Sequence, residues 1–235
     1  MKKEKIAIML CSGGLDSVVT AFYVKNRLKY KKIIVLFFNY GQKAIKQERK
    51  YSSLCAKHIK AKFMEIELDW LGKISYSLIN KNGKLKKLKR KELKDTNKES
   101  QKFYVPCRNM IFATYALGLA DSIYQKEQKD SDIFFGFKCE GKESYPDTTE
   151  EFIRAINNLC SISCVGKFKI YAPLIKKDKE DIICLGKKLK IDFRDTLSCY
   201  VPIKNHHCGH CLSCMLRKEG FYWANEKDPT VYSKK

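Results

Sequence analysis

Two stretches of this 235-residue chain hold residue types whose spacing can do chemistry. The first is Ser12-Gly13-Gly14-Leu15-Asp16-Ser17, between an apolar run and a helical pattern. A strand that turns here into a helix brings free backbone N–H groups and the positive helix end to one point, which suits pyrophosphate. Gly13 and Gly14 let the backbone turn sharply and approach phosphates, and the Ser12 and Ser17 hydroxyls can donate to phosphate oxygens. Asp16 can orient a Mg²⁺ ion or cap the helix. Neither Gly-x-x-x-x-Gly-Lys-Ser/Thr nor Gly-x-Gly-x-x-Gly occurs, which disfavours γ-phosphoryl transfer and dinucleotide binding. A loop without that lysine suits ATP cleavage between the α- and β-phosphates. A plain glycine turn explains Gly13-Gly14 but not the whole hexad.

The second stretch is Cys199-x8-Cys208-Gly-His-Cys211-x2-Cys214. A Cys-x2-Cys spacing lets two sulfurs face one ion, and four thiolates at about 2.3 Å complete the tetrahedron of a closed, structural Zn²⁺ site. Gly209 permits the knuckle turn, and Arg217 and Lys218 can offset the thiolate charge. His206, His207 and His210 lie in the same stretch, but four cysteines already fill the site. A redox-active pair is the competing reading. Cys11, Cys55, Cys107, Cys139, Cys160, Cys164 and Cys184 share no spacing and read as small apolar fillers.

The elements that must position these residues alternate. Lys5 to Cys11, Ile33 to Phe38, Phe63 to Leu68, Asp132 to Phe137 and Phe168 to Ala172 read as strands. Ser17 to Arg27, Gln42 to Lys60, Arg108 to Tyr124 and Asp178 to Leu189 read as helices. Such alternation means an α/β fold with a doubly wound, mostly parallel five-stranded sheet and a small C-terminal zinc-binding subdomain. Residues 1–195 form the ATP-binding domain, and 196–235 a helical segment carrying the cysteines. Within the first, 75–103 is almost purely basic from Gly83 to Lys94 and reads as a mobile loop or short exposed helix.

Composition bounds the partners. Lys and Arg number 47 against 26 Asp and Glu, a formal charge of +21, which attracts polyanions or only solvates the surface. The apolar run at Ile6 is too short for a signal peptide, and nothing approaches a membrane span, so a cytoplasmic protein is expected. Eleven cysteines in that setting point to metal or free thiols, not to disulfides.

The hexad resembles the signature of the PP-loop ATP pyrophosphatases, of the adenine nucleotide α-hydrolase-like fold. With Phe37-Phe-Asn-Tyr-Gly-Gln42, Tyr104-Val-Pro-Cys-Arg-Asn109, Tyr145-Pro-Asp147, Thr196-Leu-Ser-Cys-Tyr200 and the cysteine stretch, the chain from Lys5 to Trp223 resembles the 7-cyano-7-deazaguanine synthase family of queuosine and archaeosine biosynthesis. The resemblance implies that 7-carboxy-7-deazaguanine, ammonia and ATP give the nitrile through an adenylated acid and then an adenylated amide. It implies ATP contacts at Cys11, Ser12, Gly13, Gly14, Leu15, Asp16, Ser17, Val18, Val19, Thr20 and Ala21. Ser12, Asp16, Ser17 and Arg108 become the candidate catalytic residues. Tyr40, Gln42, Arg108, Asn109 and Asp147 become the candidate substrate contacts, and Cys199, Cys208, Cys211 and Cys214 the Zn²⁺ ligands.

Each substrate residue has a duller alternative: Tyr40 as packing, Arg108-Asn109 as a helix start, and Asp147 as an N-cap for the helix through Phe152. Cys107 stands where the family usually has Gly, and Thr148-Thr149 where it has Cys-Arg. The likeness also implies a homodimer acting on small molecules, with no direct nucleic-acid or membrane contact. The rival readings are a PP-loop tRNA sulfur transferase and a non-enzymatic nucleic-acid-binding zinc-ribbon protein.

Overall fold

The structure, a computed structural model, describes residues 5–138, 145–204 and 206–233. Cys139 and the N-terminal Met1 to Glu4 lie outside them. Five strands, β1 (Ile6–Leu10), β2 (Lys32–Asn39), β3 (Lys62–Glu67), β4 (Ser131–Phe134) and β5 (Lys169–Tyr171), form one sheet in the order β3-β2-β1-β4-β5. Every pairing is parallel, with Ile8 of β1 opposite Ile34 of β2 and Ile133 of β4. The expected strand boundaries shift by one to three residues.

Burial follows from the topology. Parallel strands need crossover connections, the crossovers place helices on both faces, and a central strand then has no polar face. All five residues of β1 are accordingly buried. Ile8 and Leu10 point into a core shared with α5 (Arg108–Glu127) and α6 (Glu150–Ser163). Ala7 and Met9 point into the opposite core, with α1 (Leu15–Asn26), α2 (Ile45–His58) and α7 (Lys179–Lys188). The short helices α3 (Asp69–Ile74) and α4 (Asn97–Ser100) lie in the connection from β3 to α5, and α8 (Leu212–Trp223) closes the order.

Two segments pack onto the body. The basic 75–103 segment is fastened to the body: Ile79, Leu88 and Phe103 are buried in the core under β1 and β2, and the Leu88 N–H donates to the His210 carbonyl. Its lysines at 84, 86, 87, 89, 91 and 94 stay exposed around these anchors. The 196–235 segment is likewise continuous with the body, because Phe221 of α8 packs in the α1/α7 core, edge-on to Phe193 at 5.2 Å between centroids. Among the described residues no helix is long and apolar enough to cross a membrane.

Candidate active site and cysteine cluster

Between β1 and β4 the sheet's winding reverses, and ligands of open α/β sheets bind beyond the carboxyl ends of the strands at such a point. A cleft of about 280 Å³ opens there. Its walls are the Cys11–Ser17 turn after β1, Tyr40 after β2, the start of α5, Gly136 after β4, and Ser198 to Tyr200.

At one end lies the glycine turn. Gly13 has φ +74°, and a Cβ there would sit 2.7 Å from the Ser52 amide nitrogen, so only glycine lets the loop lie this close to α2. The Leu197 N–H donates to the Gly13 carbonyl at 2.9 Å and holds the turn from the other side. No side chain caps α1, and Leu15, Asp16 and Ser17, which carry its first amides, line the cleft. The Gly14 N–H donates to Ser12 Oγ at 3.3 Å, and the Ser17 hydroxyl donates to the Gly14 carbonyl at 3.0 Å. Asp16 does not cap the helix: both its oxygens accept from Lys179 Nζ, at 2.7 and 2.6 Å. Uncapped amides, a neighbouring ammonium and a carboxylate together can bind a polyphosphate and its counter-cation. Beneath the turn the Cys55 thiol donates to Cys11, which lowers the Cys11 pKa to about 7 against the opposing effect of burial.

At the other end stands Arg108, the first residue of α5. Its Nη1 lies 3.5 Å from the Tyr40 hydroxyl and its Nε donates to Asn109 Oδ1 at 3.3 Å. Burial pushes the Tyr40 phenol up to about 12, so it stays a neutral hydrogen-bonding group. Phe112, Phe137, Tyr145 and Tyr200 make the walls here aromatic. A planar heterocycle bearing a carboxylate suits such a surface, with the guanidinium to receive the acid.

Gln42 and Asp147 are placed behind the cleft wall. Gln42 is buried; its Oε1 accepts from the Tyr40 N–H at 2.8 Å, and its Nε2 donates to the Phe38 carbonyl and to Glu48 Oε2, both at 2.9 Å. Asp147 Oδ2 accepts from the Asn109 N–H at 3.1 Å, so it caps the start of α5 and not that of α6, which Thr149 caps by accepting from the Phe152 N–H. Both residues set the positions of groups that do reach the cleft.

The four cysteines are buried, with their sulfurs all within 4.8 Å of one another. A tetrahedron of Zn–S bonds at about 2.3 Å has sulfurs about 3.8 Å apart, and Cys208 and Cys214 stand at 3.9 Å. Amide donors already point at two of the sulfurs: Cys208 N–H to Cys199 Sγ at 3.2 Å and Cys211 N–H to Cys208 Sγ at 3.3 Å. Donors of that kind favour thiolates, so the residues fit a metal ion. His207 is not among them. Its Nε2 accepts from the Ser198 N–H at 3.0 Å, and burial lowers its pKa to about 4, leaving a neutral ring. Arg217 does not reach the sulfurs either; it is fully buried and donates to Thr196 Oγ1, Ser198 Oγ and the Phe193 carbonyl, fixing the chain that leads into Cys199.

A family model described as "Queuosine biosynthesis protein QueC" matches residues 6–225. The 7-cyano-7-deazaguanine synthase of Methanobrevibacter smithii is 35% identical over 233 residues, which cover 97% of this chain and 98% of the relative. That of Methanosphaera stadtmanae is 34% identical over 232 residues, 97% of this chain and 98% of the relative. The chain belongs to the QueC family. Among solved structures, a U34-tRNA thiolase NcsA from Methanococcus maripaludis with its [4Fe-4S] cluster is similar at 16% identity and a TM-score of 0.48, covering 95% of this chain and 65% of that one. A likeness at that level carries no functional weight.

In this QueC-family chain the structure brings together Ser12, Gly14, Asp16, Ser17, Tyr40, Arg108 and Asn109 around one cleft, and the four cysteines in one cluster. Val18, Val19, Thr20 and Ala21 are instead buried in α1, inside the helix that presents the turn. Two charged cleft residues escaped the sequence reading, Lys179 and Glu48. A signal existed for the first: lysine as the first residue of a helix opposes the dipole, which indicates a specific anionic partner. Glu48 gave none, since a glutamate in a helix's first turn satisfies the dipole unaided. Of the expected filler cysteines, Cys107 and Cys184 are exposed. Cys107 adopts φ +52°, a left-handed conformation, at the position where the resembled pattern has Gly.

Proposed function

We propose that this protein converts 7-carboxy-7-deazaguanine, ammonia and ATP into 7-cyano-7-deazaguanine for queuosine or archaeosine biosynthesis. The observation that carries the reading is one cleft with an uncapped helix start and the Asp16–Lys179 pair at one end and Arg108 at the other. A carboxylate held on Arg108 and an α-phosphorus held over α1 then meet within the same space.

The carboxylate oxygen attacks the α-phosphorus and pyrophosphate leaves. Ammonia attacks the acyl carbon, AMP departs, and the nitrogen sheds a proton to give the amide. The amide oxygen attacks a second ATP; loss of AMP and of both remaining N–H protons leaves the nitrile. Backbone amides of α1, the Ser12 and Ser17 hydroxyls and Lys179 are placed to hold the phosphates as charge develops on the leaving pyrophosphate. Arg108 holds the acid, Asn109 meets the heterocycle edge, and Tyr40 orients Arg108. Gln42 and Asp147 support these groups from behind.

Asp16 would share Mg²⁺ with the phosphates, a charge screen that favours attack at phosphorus. Cys199, Cys208, Cys211 and Cys214 would hold Zn²⁺ in a closed structural site. The family likeness also supports a homodimer in the cytoplasm. The sulfur-transfer alternative is not favoured: Cys160 and Cys164 belong to the α6 core and not to the cleft, and the Cys11–Cys55 thiol pair is buried beneath the glycine turn.

Incubation with ATP, ammonium and 7-carboxy-7-deazaguanine tests the reading. Pyrophosphate release with a product of the nitrile's mass is expected. No pyrophosphate with this acid, but release on adding tRNA and a sulfide donor, refutes it in favour of sulfur transfer.

A further inference from the structure

Among the described residues, Glu48 is the one carboxylate lining the cleft that the proposed function leaves without work. It lies in the first turn of α2, directly under the phosphate loop, where its backbone carbonyl would stand 2.9 Å from a Cβ on Gly13. Gln42 donates to its Oε2 at 2.9 Å and thereby fixes the plane of the carboxylate. Its Oε1 has no hydrogen-bond partner among the described residues, and no cation among them comes within ion-pair distance, in contrast to Asp16 and Glu65, which pair with Lys179 and Arg49. A chain of contacts runs from Arg108 through Tyr40 and Gln42 to this carboxylate. The acid-holding end of the cleft and Glu48 are therefore built as one unit.

The nitrogen source needs such a group. Ammonium, the form that dominates at neutral pH, is a small cation with no lone pair, so it must be bound by an anion and stripped of a proton before it attacks carbon. The nitrogen loses another proton as the amide forms and two more as the nitrile forms.

We propose that Glu48 is the ammonium site and the proton acceptor of this reaction: its free carboxylate oxygen receives ammonium beside the adenylated acid and takes up, one at a time, the protons that the nitrogen sheds, releasing each through the cleft mouth. The assignment rests on the function proposed above. The groups that face Glu48 are consistent with it. Arg108 from α5 and the neutral Tyr40 from the turn after β2 act on it through charge, Gln42 donates to it, and the Asp16–Lys179 pair and the Cys11 thiol line the same cleft. Burial raises the Glu48 carboxyl to about 6, with the Gln42 hydrogen bond and Arg108 opposing that rise, which places it near the pH at which a proton acceptor can both accept and release.

The test separates adenylation from nitrogen chemistry in the wild type, Glu48→Gln and Glu48→Asp. Glutamine is isosteric and can still accept from Gln42. Pyrophosphate release with the acid and no ammonium reads the first adenylation. Amide and nitrile formation across ammonium concentration, and between pH 5 and 9, reads the nitrogen steps. Glu48→Gln is expected to keep ammonium-independent pyrophosphate release within about threefold, to raise the KM for ammonium, to slow amide formation by about 10²-fold and to lose the acidic limb of the pH profile. Glu48→Asp, with a displaced but ionisable carboxylate, is expected to recover part of the rate and the limb. Unchanged ammonium KM and pH profile in Glu48→Gln would overturn the assignment while leaving the proposed function intact. An equal loss of adenylation in both variants would overturn it in favour of a purely structural Glu48. A wild type inert toward the acid removes the proposed function, and this inference with it.

Discussion

At the scale of single residues, the cleft shows what local sequence does and does not disclose. The turn from Ser12 to Ser17 was legible because its six residues act on one another within two turns of chain: the Gly13 conformation, the Gly14–Ser12 contact and the uncapped helix start all arise locally. Lys179 was not, because it meets Asp16 across 163 positions and only the sheet's winding brings α7 beside α1. Lys179→Ala removes the cation that holds Asp16 and stands beside the phosphates. Its expected result is a fall in pyrophosphate release of about 10²-fold or more, measured with saturating acid, in protein whose circular dichroism shows it still folded. Cys107 gives the opposite kind of prediction. A left-handed backbone at a side-chain-bearing residue costs about 1 kcal/mol, and Cys107 is exposed, so its side chain gains little in return. Cys107→Gly is expected to raise the denaturation midpoint slightly, by the part of that strain left after the extra chain entropy of glycine, and to leave the rate unchanged. A midpoint that falls would show that Cys107 makes contacts outweighing the strain.

At the scale of elements, strands and long helices were readable because buried parallel strands and amphipathic crossovers write themselves into apolar spacing. The 75–103 segment was not, since Ile79, Leu88 and Phe103 anchor it singly, with no period, among exposed lysines. Nor was the service of Asp147. Its neighbourhood in sequence points to α6, whereas its carboxylate meets the first turn of α5, 38 residues earlier. Helix starts matter more than helix bodies here, since in the proposed reaction α1 presents the phosphate end, α5 the acid end and α2 Glu48. Gly136, just after β4, sets the first of these: a Cβ there would lie 2.7 Å from Ser17 Cα and 2.9 Å from Ser17 N. Both are backbone atoms of α1, which cannot yield without moving the helix start. Gly136→Ala is therefore expected to raise the KM for ATP at least tenfold with only a modest change in Tm. ATP kinetics equal to the wild type would show that the loop tolerates such a shift.

At the scale of the whole molecule, the cysteine cluster and the phosphate loop are mechanically one object. The Leu197 N–H holds the Gly13 carbonyl, and two residues later the chain enters the cluster at Cys199, which itself lines the cleft. Ala44, at the start of α2, packs against the cysteines. α8 begins just after Cys211 and runs back over α7, where a Cβ on Gly220 would stand 2.2 Å from Lys179 Cγ. A metal ion held by the four sulfurs would thus brace both Gly13 and Lys179, two groups of the proposed phosphate site. Free energies of binding are reciprocal, so if metal improves ATP affinity by some factor, ATP must improve metal retention by the same factor. Titration with a chelator is expected to weaken ATP binding before the global unfolding transition. ATP at 100 times its Kd is expected to protect the folded, metal-bound protein by about 2.7 kcal/mol, displacing the chelator midpoint in proportion to the coupling. A wild-type Kd for ATP in metal-stripped but still folded protein would show instead that the cluster stabilises only its own loop, and that Leu197 and Gly13 hold the phosphate site without it.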